Sequence, residues 1–204
     1  MSSEIQIRPL LSIEEQAMGR AVFDHTWAMD AGTEITPNLL QAMVHSGAYL
    51  SGAFIDGKCV GAAFAFPAKK GGLHLHSHMT AVLDNYRDRG IGYLLKIDQW
   101  YWAKKNNYQE ITWTFDPLVR RNAKLNLLKL GADIASYHPN FYGNMPDALN
   151  AGDESDRVLA SWKVVGENPV SRNAIVDPLA SDFLIAIPED MVGFSENNEY
   201  VVRI

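Results

Sequence analysis

A single cysteine, Cys59, stands among the 204 residues of the chain. That scarcity excludes an internal disulfide and a Cys-rich zinc site, and it fits a reducing compartment. Long apolar runs are missing as well, since none approaches the ~20 residues that span a bilayer. The opening Met1-Ser2-Ser3-Glu4-Ile5-Gln6 lacks the basic flank and apolar centre of a signal peptide, so a cytoplasmic protein with no membrane partner is expected. Basic charge is in deficit, with 18 Lys and Arg against 24 Asp and Glu and a net charge of -6. Broad adhesion to nucleic acid is thereby disfavoured, and any anionic ligand must be held by a local cluster. Internal repeats and low-complexity stretches are absent. What is present is a composition 47% hydrophobic with 5 Trp, 8 Tyr and 8 Phe, which excludes disorder and supplies one ordinary core.

The pattern of apolar residues alternates between two periods. Ile5 and Ile7 open a short strand, and Ser12 with Glu15 is a capping-box pattern that starts a helix over 13–29. Thr36-Pro37 starts a second helix that stops at Gly47. Tyr49 to Ile55 and Cys59 to Phe66 flank Asp56-Gly57-Lys58 as a hairpin. Gly61, Ala62, Ala63 and Ala65 make its second arm small, which suits close approach of another element. A long strand over 73–82, a helix over 91–105, a strand over 111–115 and a helix over 122–130 follow. Strands over 134–137 and 158–165 come next. Residues 1–165 read as one domain, and 166–204 as a tail docked on it with one further strand, Phe183 to Ile187.

Between the strand ending at Val82 and the helix starting at Ile91 lies the strongest chemical signal, Arg87-x-x-Gly90-x-Gly92. Glycines let a backbone approach a ligand, and the uncapped N–H groups of a helix start point at negative charge. Arg87 and Arg89 add charge-assisted donors. The spacing is neither that of a dinucleotide fold nor that of a P-loop, because Leu95 stands where a third glycine belongs and no Gly-Lys-Ser/Thr follows. By itself the segment also reads as a plain helix start with two solvated arginines.

The order of elements and this loop resemble the GNAT family of acyl-CoA N-acyltransferases over about residues 4–165. Val82, Tyr86-Arg87, Gly90 and Gly92 match one family motif in order and spacing; Ala123, Lys129 and Gly131 match a second. The resemblance implies an α/β (α+β) fold. Its central sheet would be mixed but mostly antiparallel, with about seven strands, parted between the fourth and fifth and flanked by helices. It implies acetyl-CoA, or another acyl-CoA, as co-substrate. Backbone at Val82 and Leu83 would pair with pantetheine, and the N–H groups of Arg87, Asp88, Arg89, Gly90, Ile91 and Gly92 would hold the pyrophosphate, with Asn122 alongside. Arg120, Arg121 and Lys124 are a candidate basic rim or a solvated helix start. Many relatives carry a tyrosine acid where this sequence has Leu127. Segments such as Ser77-His78-Met79 and Thr112 to Leu118 are similar to a branch whose members are usually called only predicted acetyltransferases. Some relatives of that branch are associated with N-acylation, including succinylation, of amino acids. Family members often dimerise through late strands, so a homodimer is a further option.

The chemistry requires an unprotonated amine, stabilisation of an oxyanion and a proton for the thiolate. His74, His76 and His78 alternate, so with Thr80 and Val82 they are expected on one sheet face. His78 and His76, nearer the loop, are the candidate bases. Alternating histidines can also share zinc, but no carboxylate partner accompanies them and no metal is expected. Asp116 is a second candidate base, with capping of the turn at Pro117 as the competing role. Tyr137 is a candidate acid, and Trp113, Tyr142 and Arg157 are candidate substrate contacts. The aromatic-polar stretch Tyr137 to Met145, followed by Asp147 and Leu149-Asn150, reads as a substrate wall or an interface. The leading expectation is acyl transfer to a small-molecule amine, such as an amino acid, by direct attack. The alternatives are an inactive CoA-binding module, a succinyl-CoA donor, and a nucleotide-binding or purely structural protein.

Overall fold

The computed structural model describes residues 4–27, 33–143 and 155–170. The expected strand Phe183 to Ile187, and Met145, Asp147 and Leu149-Asn150, lie outside the described residues. In chain order the elements are β1 (Gln6–Pro9), α1 (Ile13–Thr26), α2 (Pro37–His45), β2 (Tyr49–Ile55), β3 (Lys58–Ala68) and β4 (His74–Val82). They continue with α3 (Ile91–Lys105), β5 (Glu110–Phe115), α4 (Arg120–Ala123), β6 (Asp133–His138) and β7 (Arg157–Lys163). A 3-10 turn over Asp84–Tyr86 precedes α3, and a π-helical turn over Lys124–Lys129 prolongs α4.

Local chemistry sets the ends. Ser12 and Glu15 complete a reciprocal capping box at the start of α1, and the Arg8 guanidinium binds Glu15 across to β1. Thr36 caps α2 by accepting from the Leu39 N–H, with Pro37 in the first turn. Where one α-helix over 122–130 was expected, a single α turn widens into a π turn closed by Leu130 N–H on Leu125 C=O. The apolar spacing Leu125, Leu127, Leu128 does not distinguish the two windings.

The sheet has seven strands in the order β1-β2-β3-β4-β5-β7-β6. All neighbours are antiparallel except β4 and β5. That parallel pair shares only Leu75 with Ile111 and His76 with Thr112, after which the strands part. One core, with Leu10, Phe23, Leu40, Phe64 and Met79, lies under α1 and α2; the other, with Leu75, Leu95, Trp100, Ile111 and Trp113, lies under α3. Each fully buried leucine or phenylalanine contributes about 1.5–3 kcal/mol. Gly61 shows why the second hairpin arm is small: a Cβ there would meet Ile91 Cγ2 at 3.1 Å, Ala81 O at 3.2 Å and Leu95 Cδ1 at 3.3 Å. The start of α3 is thereby seated directly on β3.

The register of β3 and β4 slips between Phe64 and Ala65: Phe64 opposes Met79, whereas Ala65 opposes Ser77. His78 is therefore the extra residue of a β-bulge. Before it, His76 lies on the α1/α2 face opposite Phe66, and Ser77 lies on the α3 face. After it, Met79 and Ala81 take the α1/α2 face, and Thr80 and Val82 take the α3 face. The expectation that His76, His78, Thr80 and Val82 share one face is thus corrected. Strict alternation does not survive an inserted residue.

Candidate functional site

The site is a cleft that begins at the first turn of α3 and runs along the open edge of β4 to the point where β5 departs. Gly90 caps α3 at φ +77°, a left-handed conformation that costs glycine little, and a Cβ there would meet nothing within 4 Å. Among the described residues, the N–H groups from Asp88 to Tyr93 have no hydrogen-bond acceptor. Helix geometry leaves such groups facing outward. Two expected contributors are committed elsewhere: the Arg87 N–H donates to Asp84 O at 3.2 Å, and its guanidinium pairs with Asp84 at 2.6 Å. Arg89 lies over the Tyr86 ring, 5.4 Å from its centroid. The row of free donors therefore starts at Asp88. Asn122 sits in α4, its N–H on Val119 O at 2.9 Å, and is half-buried.

Gly92 faces the cleft between Val82 Cγ2 and Leu125 Cδ2, each 4.0 Å from where its Cβ would be. Beyond it the Leu83 N–H bonds Val60 O at 2.9 Å and the Leu83 carbonyl accepts from Tyr86, so neither is open to a ligand. Antiparallel ladders alternate. The peptide groups of Val82 and Thr80 accordingly point the other way, to the edge that β5 has left. An extended polar chain can bond there as a further strand would.

At the fork itself lies a residue absent from the expectations. Lys96 of α3 is buried, 4% exposed, and its ammonium donates to Ser77 Oγ at 2.7 Å and to Gln99 Oε1 at 3.3 Å. It also sits 3.8 Å from the centroid of the Trp113 ring on β5. Burial lowers its pKa to about 7. Trp113, expected as a substrate contact, is instead core, edge-on to Trp162, and its Nε1 is buried without a partner, as are Gln99 Nε2 and Thr80 Oγ1. The signal for Lys96 was its place on the buried stripe Ile91, Leu95, Gln99, Trp100 and Ala103, where a charged side chain must find a partner.

On the opposite, α1/α2 face the fork carries His76 and His78 against Phe66, with ring centroids 5.3 and 5.7 Å away. His76 Nδ1 meets Thr112 Oγ1 at 3.1 Å. Burial, then His78, His74 and Lys96, push the His76 pKa down to about 4. His78 keeps an exposed rim, but burial of the rest of its ring lowers its pKa too, against an opposing pull from Glu34. Both imidazoles are neutral at pH 7 and able to accept a proton. His74 stands apart, bonded to Gly72 O at 2.8 Å. Tyr142 joins this face through its hydroxyl on Thr114 Oγ1 at 2.9 Å, and the Arg157 guanidinium covers its ring at 5.6 Å. Arg157 is itself buried and donates to Asp156 O at 2.7 Å.

Two expected groups are held in other duties. Asp116 Oδ1 accepts from the Leu118 N–H at 2.8 Å, an Asx turn around Pro117. The Tyr137 hydroxyl donates to the Asp156 carboxylate, which also receives the Asn140 N–H at 2.8 Å. In the β2–β3 hairpin, burial pushes the Cys59 thiol up, away from nucleophilic use. Among the described residues no group of three His, Cys, Asp or Glu side chains gathers for a metal, and no helix is long and apolar enough to cross a membrane.

A family model described as the acetyltransferase (GNAT) family matches residues 13–131, more than half of the chain. No functionally curated protein matches the sequence significantly. Solved structures of the same fold are many. An N-acetyltransferase from Staphylococcus aureus superposes with a TM-score of 0.64 at 16% identity, over 80% of this chain and 100% of its own. A ribosomal-protein-alanine N-acetyltransferase from Escherichia coli gives 0.61 at 13% identity, over 82% and 99%. A GNAT-family acetyltransferase from Elizabethkingia anophelis with acetyl-CoA bound gives 0.54 at 18% identity, over 78% and 97%.

Proposed function

The chain belongs to the GNAT family of acetyltransferases, an N-acetyltransferase with acyl-CoA as co-substrate, and from that premise we propose that it acetylates the amine of a small molecule such as an amino acid, by direct attack in a ternary complex. One observation carries the reading: free amides from Asp88 to Tyr93 lead along the open edge of β4 to a fork with neutral histidines on its far side. The pyrophosphate of acyl-CoA fits the amide row, where the glycines leave space and the helix start favours an anion. Pantetheine fits the peptide groups of Val82 and Thr80. The span from Val82 back to Ser77 is about 17 Å at ~3.3 Å per residue, which brings an extended arm to the fork.

The acceptor amine enters from the α1/α2 face, between His78, Thr114 and Tyr142, with Phe66 as an apolar wall. His78, the bulge residue with an exposed rim, takes the proton of the incoming ammonium directly or through water, and His76 orients it. The neutral amine then attacks the thioester carbonyl held at near-attack distance, and proximity supplies much of the acceleration. Cys59 has no part in a covalent step, since its thiol stays protonated in the hairpin. Residues 1–165 form the acyltransferase domain in this reading. The tail begins beside α3, where Tyr101 OH meets Asn168 at 2.7 Å and Lys104 reaches Glu167 O at 3.4 Å.

Release of free thiol from acetyl-CoA tests the proposal, with the common amino acids, spermidine and short peptides with free N-termini as acceptors. Faster release with a free amino acid than with any peptide is the expected result. Turnover with peptides alone would remove the small-molecule acceptor, and tight CoA binding without release for any acceptor would establish an inactive binding module. Succinyl-CoA in place of acetyl-CoA decides the acyl group.

A further inference from the structure

Acyl transfer from a thioester leaves a thiolate that must gain a proton, and the phenol first considered for that task, Tyr137, is bound to Asp156. At the fork, Ser77 accepts a hydrogen bond from Lys96, while its own hydroxyl hydrogen has no acceptor among the described residues. Ser77 follows directly on His76, the last β4 residue paired with β5, so it sits on β4 where that pairing ends, its side chain buried on the α3 face. We propose that Lys96 and the Ser77 hydroxyl form a proton relay that protonates the departing CoA thiolate. The proposal rests on the reading of the fork as the seat of the thioester.

The step balances. As the tetrahedral adduct collapses, the carbon–sulfur bond breaks and its electron pair goes to sulfur. Ser77 passes its hydroxyl proton to sulfur while Lys96 passes one to Ser77 Oγ, which leaves a thiol and a neutral lysine. The proton that the acceptor gave up returns to Lys96 through water in the emptied cleft, and no other reactant is consumed. The surroundings suit a group that changes charge each cycle. The nearest titratable group of β4, His76, lies on the other face of the strand and is neutral at pH 7, and from β5 the Trp113 ring favours the ammonium by a cation–π contact. On α3 itself Asp98 is taken by the Tyr49 hydroxyl at 2.8 Å. With no carboxylate paired to it among the described residues, Lys96 is not locked in its charged form, and at neutral pH it is poised to give or take a proton.

The experiment titrates the thiolate absorbance of CoA bound to the wild-type protein and to Lys96→Met. An ammonium within a few ångströms lowers an acid by about one to three pH units. The bound thiol is therefore expected to ionise at least one unit lower in the wild type. Identical ionisation in both, with CoA bound by both, overturns the relay and leaves the family reading intact. Absence of CoA binding by the wild type overturns the reading of the fork and the relay with it. Ser77→Ala removes the hydroxyl that accepts from Lys96 while keeping the lysine itself, and decides the matter should Lys96→Met fail to fold. It is expected to lower kcat by about 10²-fold or more at unchanged KM for acetyl-CoA, and to abolish the fall in rate above the Lys96 pKa. A wild-type kcat and pH profile in Ser77→Ala overturns the proposal.

Discussion

Gly90→Glu concentrates the argument into one residue. Gly90 sits at φ +77° with open space around its Cβ position. A side chain there meets no steric obstacle, and the fold loses only the cost of a left-handed non-glycine residue, about 1–2 kcal/mol. For a domain of this size that lowers the melting temperature by a few degrees, at roughly 2–4 °C per kcal/mol. Ligand binding suffers far more. The carboxylate would project beside the free amides of Asp88 to Tyr93. A unit charge about 5 Å from another at an effective dielectric near 20 costs ~3 kcal/mol, and a pyrophosphate carries more than one. Affinity for CoA should therefore fall by at least 10²-fold, because 1.4 kcal/mol is a factor of ten. Gly90→Asn carries nearly the same backbone cost without the charge and should bind CoA within a few-fold of wild type. Calorimetric titration of CoA into the three proteins, each first shown to melt cooperatively, is the assay. Undiminished affinity in Gly90→Glu would refute the amide cradle and the placement of pantetheine that follows from it.

Other perturbations test separate links. His78→Ala should flatten the rise of kcat with pH at the acid side of the profile while leaving CoA affinity unchanged; an unaltered profile moves the base to His76 or to a water chain. Asp116→Ala should cost about 1 kcal/mol of stability in urea unfolding through loss of the Asx turn, with kcat unchanged, whereas a large drop in kcat would restore Asp116 as a base. Lys96→Met removes the cost of a buried cation but leaves Ser77 Oγ and Gln99 Oε1 without that donor, so urea unfolding at pH 7 should place it within about 1–3 kcal/mol of wild type. The sign with pH follows from linkage. Because the folded lysine titrates near 7 and the unfolded one near its ordinary value, the unfolded state binds more protons between these limits. Wild-type stability therefore rises from about pH 7 to 10.5, and the Met variant should lack this slope in urea titrations at successive pH values.

Much of the fold was legible because local rules and global packing agree in it. Ser12 with Glu15, Thr36 with Pro37, and the Asp56-Gly57-Lys58 turn mark boundaries through short-range chemistry that tertiary contacts do not overrule. The parted fourth and fifth strands came from the family resemblance, whose loop motif is written in glycines. Gly90 takes a φ of +77°, and Gly92 lies between Val82 and Leu125. The π turn after α4 was not legible, because it depends on which carbonyl the Leu130 N–H reaches, a choice that composition does not express.

The site was less legible than the fold, and the bulge at His78 explains most of the difference. Counting by twos from His74 puts His78, Thr80 and Val82 together, but one inserted residue exchanges the faces for all that follows. That exchange has a consequence for the proposed reaction. It keeps His76 and His78 on the α1/α2 face and turns Thr80 and Val82 to the α3 face, which Ser77, before the bulge, already shares. A strictly regular strand would put His78, Thr80 and Val82 on one face, and the proton acceptor would share a surface with the thioester arm. With the bulge, the proposed base and the proposed thioester arm lie on opposite faces of the fork. Lys96 then completes the leaving-group side from a helix whose apolar stripe gives no hint of catalysis. It registers only as a charge where a leucine was due, and its meaning emerges from Ser77 and Trp113 meeting it in three dimensions.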